Sequence, residues 1–181
     1  MSQNEPDSNK LGLVQVYTGD GKGKTTAALG LALRAAGSGL RTFIGQFMKG
    51  SPYGELEALR RLESLIVIEQ FGDRKHVRPG EPSPKQIAQA QAGLRRIEQV
   101  LQSNEFDIVV MDEVNIACHF GVLPLPEVIC VLENRPANVE IVLTGRHAPA
   151  EILELADLVT EMIQVRHPYQ KGLLARRGIE F

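Results

Sequence analysis

Cysteine is scarce in this chain of 181 residues, occurring only as Cys118 and Cys130 and in no metal-ligand spacing. A cysteine-built metal centre and a disulfide framework are both excluded, and the two thiols are expected reduced and buried or half-buried. Long apolar runs are missing too. None approaches the ~20 residues that a bilayer-crossing helix needs, so no membrane association is expected. No charge of one sign dominates: 20 Lys and Arg stand against 22 Asp and Glu, for a formal net charge of −2. That balance gives no general pull toward nucleic acid. There is no internal repeat and no low-complexity tract. Met1 to Lys10 is polar, without the apolar core of a secretory signal. It reads as a polar tail before one domain over 11–181, and the location expected is cytoplasmic. With 43 % hydrophobic residues, that domain has material for a sizeable core.

What the chain does have begins at Leu13. Leu13 to Tyr17 reads as a buried strand, Thr18-Gly19-Asp20-Gly21-Lys22-Gly23 as a glycine-rich turn, and Lys24-Thr25-Thr26 as the opening of a helix that runs to Ala36. This is the layout of a triphosphate cradle. Successive backbone N–H groups curl around anionic oxygens, Lys24 adds a point charge, and the Thr25 hydroxyl is placed to ligate Mg²⁺. The helix brings its positive end to the same spot. The spacing departs from G-x-x-x-x-G-K-[ST]. The first glycine should fall at position 18, which is Thr18, and Gly19 comes one residue late. Lys22 is either a solvated charge or a second cation on the triphosphate, and the phosphate-rich setting favours the second.

Further strands are expected at Arg41–Phe47, Leu65–Phe71, Ile108–Met111, Glu140–Leu143 and Leu158–Val165. Helices are expected at Glu55–Leu62, from Pro84 through Leu101, at Pro126–Glu133 and at Ala148–Ala156. Ser83, Pro84 and Gln86 form a capping box with proline at the first helical position. Strands alternating with helices predict an α/β fold: a mostly parallel central sheet of about six strands with helices on both faces, of the P-loop NTPase type. Ligands on such sheets bind at the carboxyl ends of the strands. Ile108 to Met111 delivers Asp112 and Glu113 to that edge. One of them holds Mg²⁺, directly or through water, and the other is a second ligand or a general base. Gln46 and Lys49 end the second strand at the same edge. Arg146, after the fifth strand, is a candidate contact for phosphate or for a large ligand's amide groups.

Taken together, these segments resemble the P-loop ATP:corrinoid adenosyltransferases of the vitamin B12 pathway. The resemblance runs from about Gly12 to Phe181. It rests on YTGDGKGKTTAA from Tyr17, GQFMKG from Gly45, DIVVMDEVNIA from Asp107, LTGR from Leu143, ADLVTEM from Ala156, and His167-Pro168-Tyr169 followed by GLLARRGIEF. The late first glycine is the family's own form of the loop.

The resemblance implies transfer of the 5′-deoxyadenosyl group of ATP to the Co(I) centre of a reduced corrinoid, with release of triphosphate, in adenosylcobalamin synthesis or salvage. It implies a nucleotide lying in the loop in the reverse of the usual sense, Mg²⁺, and a cobalt-reducing flavoprotein or equivalent reductant as partner. A homodimer is expected because a second copy often covers the edge of so small a sheet. The rival class is a P-loop ATPase or ATP-dependent switch, with Glu113 positioning water on the γ-phosphate. Two features depart from the family. Only about ten residues precede the resemblance, where members carry a covering segment. No tryptophan stands after the third strand, where members have an aromatic stretch that helps strip the lower ligand from cobalt. Phe71 and His76 are the candidates there, while Arg74, Lys75 and Arg78 form a basic loop suited to a corrinoid's anionic groups.

Overall fold

The computed structural model describes residues 11–73, 75 and 77–180. The expectations for the N-terminal tail, Arg74 and His76 lie outside the described residues. Six strands form one sheet in the order β3-β2-β4-β5-β1-β6: β1 (Val14–Thr18), β2 (Thr42–Phe47), β3 (Ile66–Phe71), β4 (Ile108–Asp112), β5 (Glu140–Thr144) and β6 (Leu158–Glu161). Every pairing is parallel, so the sheet is wholly rather than mostly parallel. All strand carboxyl ends therefore open on one edge. β5 lies between β1 and β4, and it separates the glycine loop's strand from the one that carries Asp112.

The residue alternation of the strands sends side chains to two covered faces. Ile44, Ile66, Ile108, Val110 and Val142 pack against Ala28, Ala32 and Ala35 of α1 (Lys24–Gly37). The alanines let that helix lie close to the sheet. On the other face Phe43, Phe47, Val109, Met111, Ile141 and Leu143 meet Leu94 and Ile97 of α3 (Pro84–Ser103). Val131 and Ile152 join them from α5 (Leu125–Glu133) and α6 (Ala150–Leu155). Both halves of the capping box before α3 form: the Ser83 amide donates to Gln86 Oε1 at 3.0 Å, and the Gln86 amide to Ser83 Oγ at 3.3 Å. No helix among the described residues is long and apolar enough to cross a membrane.

Gly93 in the middle of α3 has a packing reason. A Cβ built there would lie 2.4 Å from Cγ of Phe71 on β3. Alanine is the better helix former by about 1 kcal/mol. Even so, Gly93→Ala is expected to destabilise the protein by about 1–3 kcal/mol, because the aromatic ring must be displaced. Urea unfolding checks this, and an unchanged midpoint would refute it.

Three expectations are corrected. The segment Glu55–Leu62 is an α-helix only over α2 (Gly54–Leu59) and tightens to a 3₁₀ turn over Arg60–Leu62. The last strand stops at Glu161, four residues early. There Met162 turns inward, its amide donating to Thr18 O at 2.8 Å and its carbonyl accepting from the Gly21 amide at 2.6 Å. Cys118 is half-buried as expected, but Cys130 sits on the exposed side of α5. A short helix absent from the sequence reading, α4 (Val114–His119), follows Glu113 directly.

Candidate active site

The glycine loop joins β1 to α1 at the carboxyl edge. Gly19 and Gly23 adopt φ of +89° and +123°, a region that side chains rarely enter. Lys24 is nearly buried, at 9 % exposure. Its Nζ reaches back under the loop and donates to the carbonyls of Gly19 at 2.6 Å and Gly21 at 2.7 Å. Burial pushes its pKa below the ordinary lysine value. Glu113 and Asp20 pull it up, and Arg146 adds to the lowering.

Beside the loop, Asp112 is fully buried and gathers four donors. Its Oδ1 accepts from Thr25 Oγ1 at 2.8 Å and from Thr144 Oγ1 at 2.6 Å. Its Oδ2 accepts from Lys49 Nζ at 2.7 Å and from Gln46 Nε2 at 3.2 Å. The Asp112 carboxylate thereby ties α1, β2, the turn after β2 and β5 to β4. Glu113 follows at φ +62°. Burial, then the negative Asp112 next to it, push the Glu113 carboxyl above the usual carboxylate range. The cations Lys49, Lys24 and Arg146 offset part of that rise.

Lys24, Thr25, Lys49 and Glu113 border an open cavity of about 810 Å³, within the size range of small-molecule sites. One wall is the loop from Asp20 to Thr26, another is Lys49, Glu113 and Arg146, and the C-terminal segment supplies Tyr169 and Glu180. Thr18, Gly19, Gln46 and Asp112 do not line it. Thr18 and Gly19 back the loop, while Gln46 and Asp112 are buried beneath the floor. Lys22 lines the same cavity and is paired there with the C-terminal segment. Its Nζ donates to Glu180 Oε1 at 2.9 Å and to the Ile179 carbonyl at 3.0 Å.

The profile of the family described as ATP:corrinoid adenosyltransferase BtuR/CobO/CobP matches residues 10–181. The chain belongs to this family. A corrinoid adenosyltransferase of Pseudomonas aeruginosa is 36 % identical over 174 residues, covering 96 % of this chain and 85 % of the relative. Corrinoid adenosyltransferase CobA of Salmonella typhimurium is 37 % identical over 173 residues, covering 94 % and 86 %. The corrinoid adenosyltransferase of Escherichia coli K12 is 34 % identical over 177 residues, covering 96 % and 87 %. Among solved structures, flagellar accessory protein FlaH of Methanocaldococcus jannaschii aligns with a TM-score of 0.56 at 11 % identity, covering 84 % of this chain and 71 % of that one. That likeness shows the fold alone.

Within this adenosyltransferase, the sequence reading missed two groups of residues. Thr144 could be placed at the carboxyl edge after the fifth strand, but not as the hydroxyl that joins β5 to β4. The C-terminal segment gave no periodic signal, but its charges meet the glycine loop: Arg176 and Lys22 both hold Glu180 and push its carboxyl down to about 2. His167 accepts from the Tyr169 amide at 3.2 Å and so caps the 3₁₀ turn Pro168–Lys171.

Proposed function

We propose that ATP occupies the cavity with its triphosphate in the glycine loop and its 5′-carbon open to a reduced corrinoid. The protein is a corrinoid adenosyltransferase, and the hydrolytic alternative is not favoured. In the reaction the Co(I) electron pair of the corrinoid forms the Co–C bond. The bond from the 5′-carbon to oxygen breaks, and triphosphate leaves with the electron pair of that broken bond, so cobalt ends as Co(III). The nucleophile carries no proton, so the protein supplies position and charge rather than a general base. Lys24 and the loop amides hold the departing chain, and Arg146 and Lys49 add positive charge across the cavity. The convergence of this loop with Thr25 and Asp112, in a chain matched by the family over nearly its whole length, carries the reading.

The donors also fit Mg²⁺. Thr25 gives its proton to Asp112 and keeps a lone pair beyond its long contact from Lys49 Nζ at 3.4 Å, and Glu113 borders the cavity. A hydroxyl and a carboxylate suit an ion carried in by phosphates. Thr25 and Glu113 would hold it, with Asp112 orienting Thr25. When bound, the ion neutralises charge on the leaving triphosphate.

Anoxic incubation with ATP, Mg²⁺ and chemically reduced cobalamin tests the reading. A Co–C absorption spectrum with free tripolyphosphate is expected, and orthophosphate without cobalt alkylation would overturn it. The reductant is proposed to be a separate flavoprotein or its equivalent, and the setting the cytoplasm. A homodimer is supported by the edge strand β6, whose four residues are all exposed. A monomer by light scattering would remove that proposal.

Lys22 enters through its Glu180 pair. Removing the carboxylate frees Lys22 and takes a negative charge from the cavity wall. Glu180→Ala is therefore expected to lower KM for ATP at low salt, an effect that fades as salt screens the exposed charges. A KM that rises would argue instead that the C-terminal segment helps to hold the nucleotide.

A further inference from the structure

The β4–β5 ladder ends at the pairing of Met111 with Leu143. One residue further on, the strands stay joined through side chains. The Thr144 hydroxyl donates to Asp112 Oδ1 at 2.6 Å and accepts the Glu113 amide at 3.0 Å. Asn115, fully buried at the start of α4, donates through Nδ2 to the Gly145 carbonyl at 3.3 Å. Its Oδ1 has no partner among the described residues. A buried amide half-satisfied in this way is unfavourable as packing, and its bond to Gly145 is what it contributes. The two segments also touch directly, since a Cβ on Gly145 would lie 3.0 Å from the Ile116 amide nitrogen. The Gly145 amide in turn donates to Tyr17 O on β1 at 3.2 Å. This brace carries two residues of the cavity wall: Glu113, in a left-handed backbone conformation, and Arg146, directly after Gly145.

We propose that Thr144 and Asn115 are positioning residues, which lock the β4–α4 turn to the β5 turn so that Glu113 and Arg146 are presented together to the leaving triphosphate. Neither touches the cavity; both act through the residues they hold. The inference rests on the adenosyl-transfer reading. The triphosphate's main anchors, Lys24 and the loop amides, are held by their own bonds within the loop and to Met162, just after β6. Losing the brace should therefore move kcat and spare ATP binding.

The test compares full-length wild type with Thr144→Val, Thr144→Ser and Asn115→Ala in the anoxic Co–C assay, with thermal melts of each. Thr144→Val keeps the shape of the side chain and removes the hydroxyl. A loss of roughly ten- to a hundredfold in kcat is expected for it, the range that a small misplacement of reacting groups produces. KM for ATP should stay within about threefold of wild type. Thr144→Ser restores the hydroxyl and should recover kcat, and Asn115→Ala should lower kcat in the same way as valine at 144. Wild-type kcat in folded Thr144→Val or Asn115→Ala would overturn the proposal, as would a serine variant no better than valine. A lower melting temperature with kcat and KM unchanged would show a purely structural role, and overturn it equally. If the valine variant does not fold, Asn115→Ala still decides. An inactive wild type would sink the adenosyl-transfer reading instead, so the two failures are distinguishable.

Discussion

Lys24→Ala is expected to fold normally and to lose adenosyl transfer by roughly two to three orders of magnitude, the effect of removing one preorganised donor from a developing charge. The lysine lies under the loop rather than in either apolar core, and both of its hydrogen bonds go to loop carbonyls. The loop keeps a second tie, the Gly21 amide bonded to the Met162 carbonyl at 2.6 Å. The melting temperature should therefore move little while the rate collapses. The nearly buried position explains the size of the effect, because a cation with little water around it interacts strongly with a triphosphate in the same cavity. Lys24→Met separates charge from stem. It keeps the aliphatic chain and should be as inactive as alanine. Normal turnover in either variant, measured by the Co–C spectrum, would take Lys24 out of the mechanism.

The strands were legible because both faces of a parallel sheet are covered, and covered strands read as unbroken apolar runs. Ile108 to Met111 is the clearest, and its four residues divide between the two cores. The glycine loop was legible for a different reason, since a turn that must curl around an anion limits its own residue types. Strand order was not legible. That β5 stands between β1 and β4 depends on which edges meet across the sheet, and no local pattern records it. For the same reason Gln46, Lys49 and Thr144 could be placed at one edge, yet their common partner Asp112 could not be named. The last strand was overread because Ile163 and Val165 continue the apolar alternation. In the structure both are exposed, 74 % and 85 %, since the chain leaves the sheet at Met162 to buttress the loop. The segment that follows is polar and proline-bearing, so nothing local foretold that Glu180 would return to Lys22.

Asp112 is the residue whose loss should damage both fold and function, and two substitutions separate the effects. Asp112→Ala strands the Lys49 cation, whose side chain is only 14 % exposed, along with the Thr25 and Thr144 hydroxyls and the Gln46 amide. Breaking a buried ion pair from one side costs about 3–5 kcal/mol, because the remaining charge is left without its partner. In a chain of this size that lowers the melting temperature by roughly 10 °C. Asp112→Asn keeps the shape. Its oxygen can face Lys49 and Gln46, and its amide can donate to the threonine hydroxyls, so most of the stability should survive. Thr25 then accepts a proton where it had donated one, on top of its contact from Lys49 Nζ, and no lone pair is left for the ion. Transfer should fall by more than about tenfold in the asparagine variant, with the Mg²⁺ requirement shifted to higher concentration. The ion pair has a pH signature. Burial alone would lower the Lys49 pKa, but the charge and hydrogen bond of Asp112, with Glu113 and Glu55 behind it, raise it overall. A lysine raised in the folded state contributes its full stability below its unfolded pKa and loses it only as the pH climbs through the raised folded value. The stability gap between wild type and Lys49→Met, which removes the titrating group, should accordingly stay constant through neutral and mildly alkaline pH. A gap that closed there would mean that Lys49 is already losing its proton, and that the Asp112 hub is not held by an ion pair.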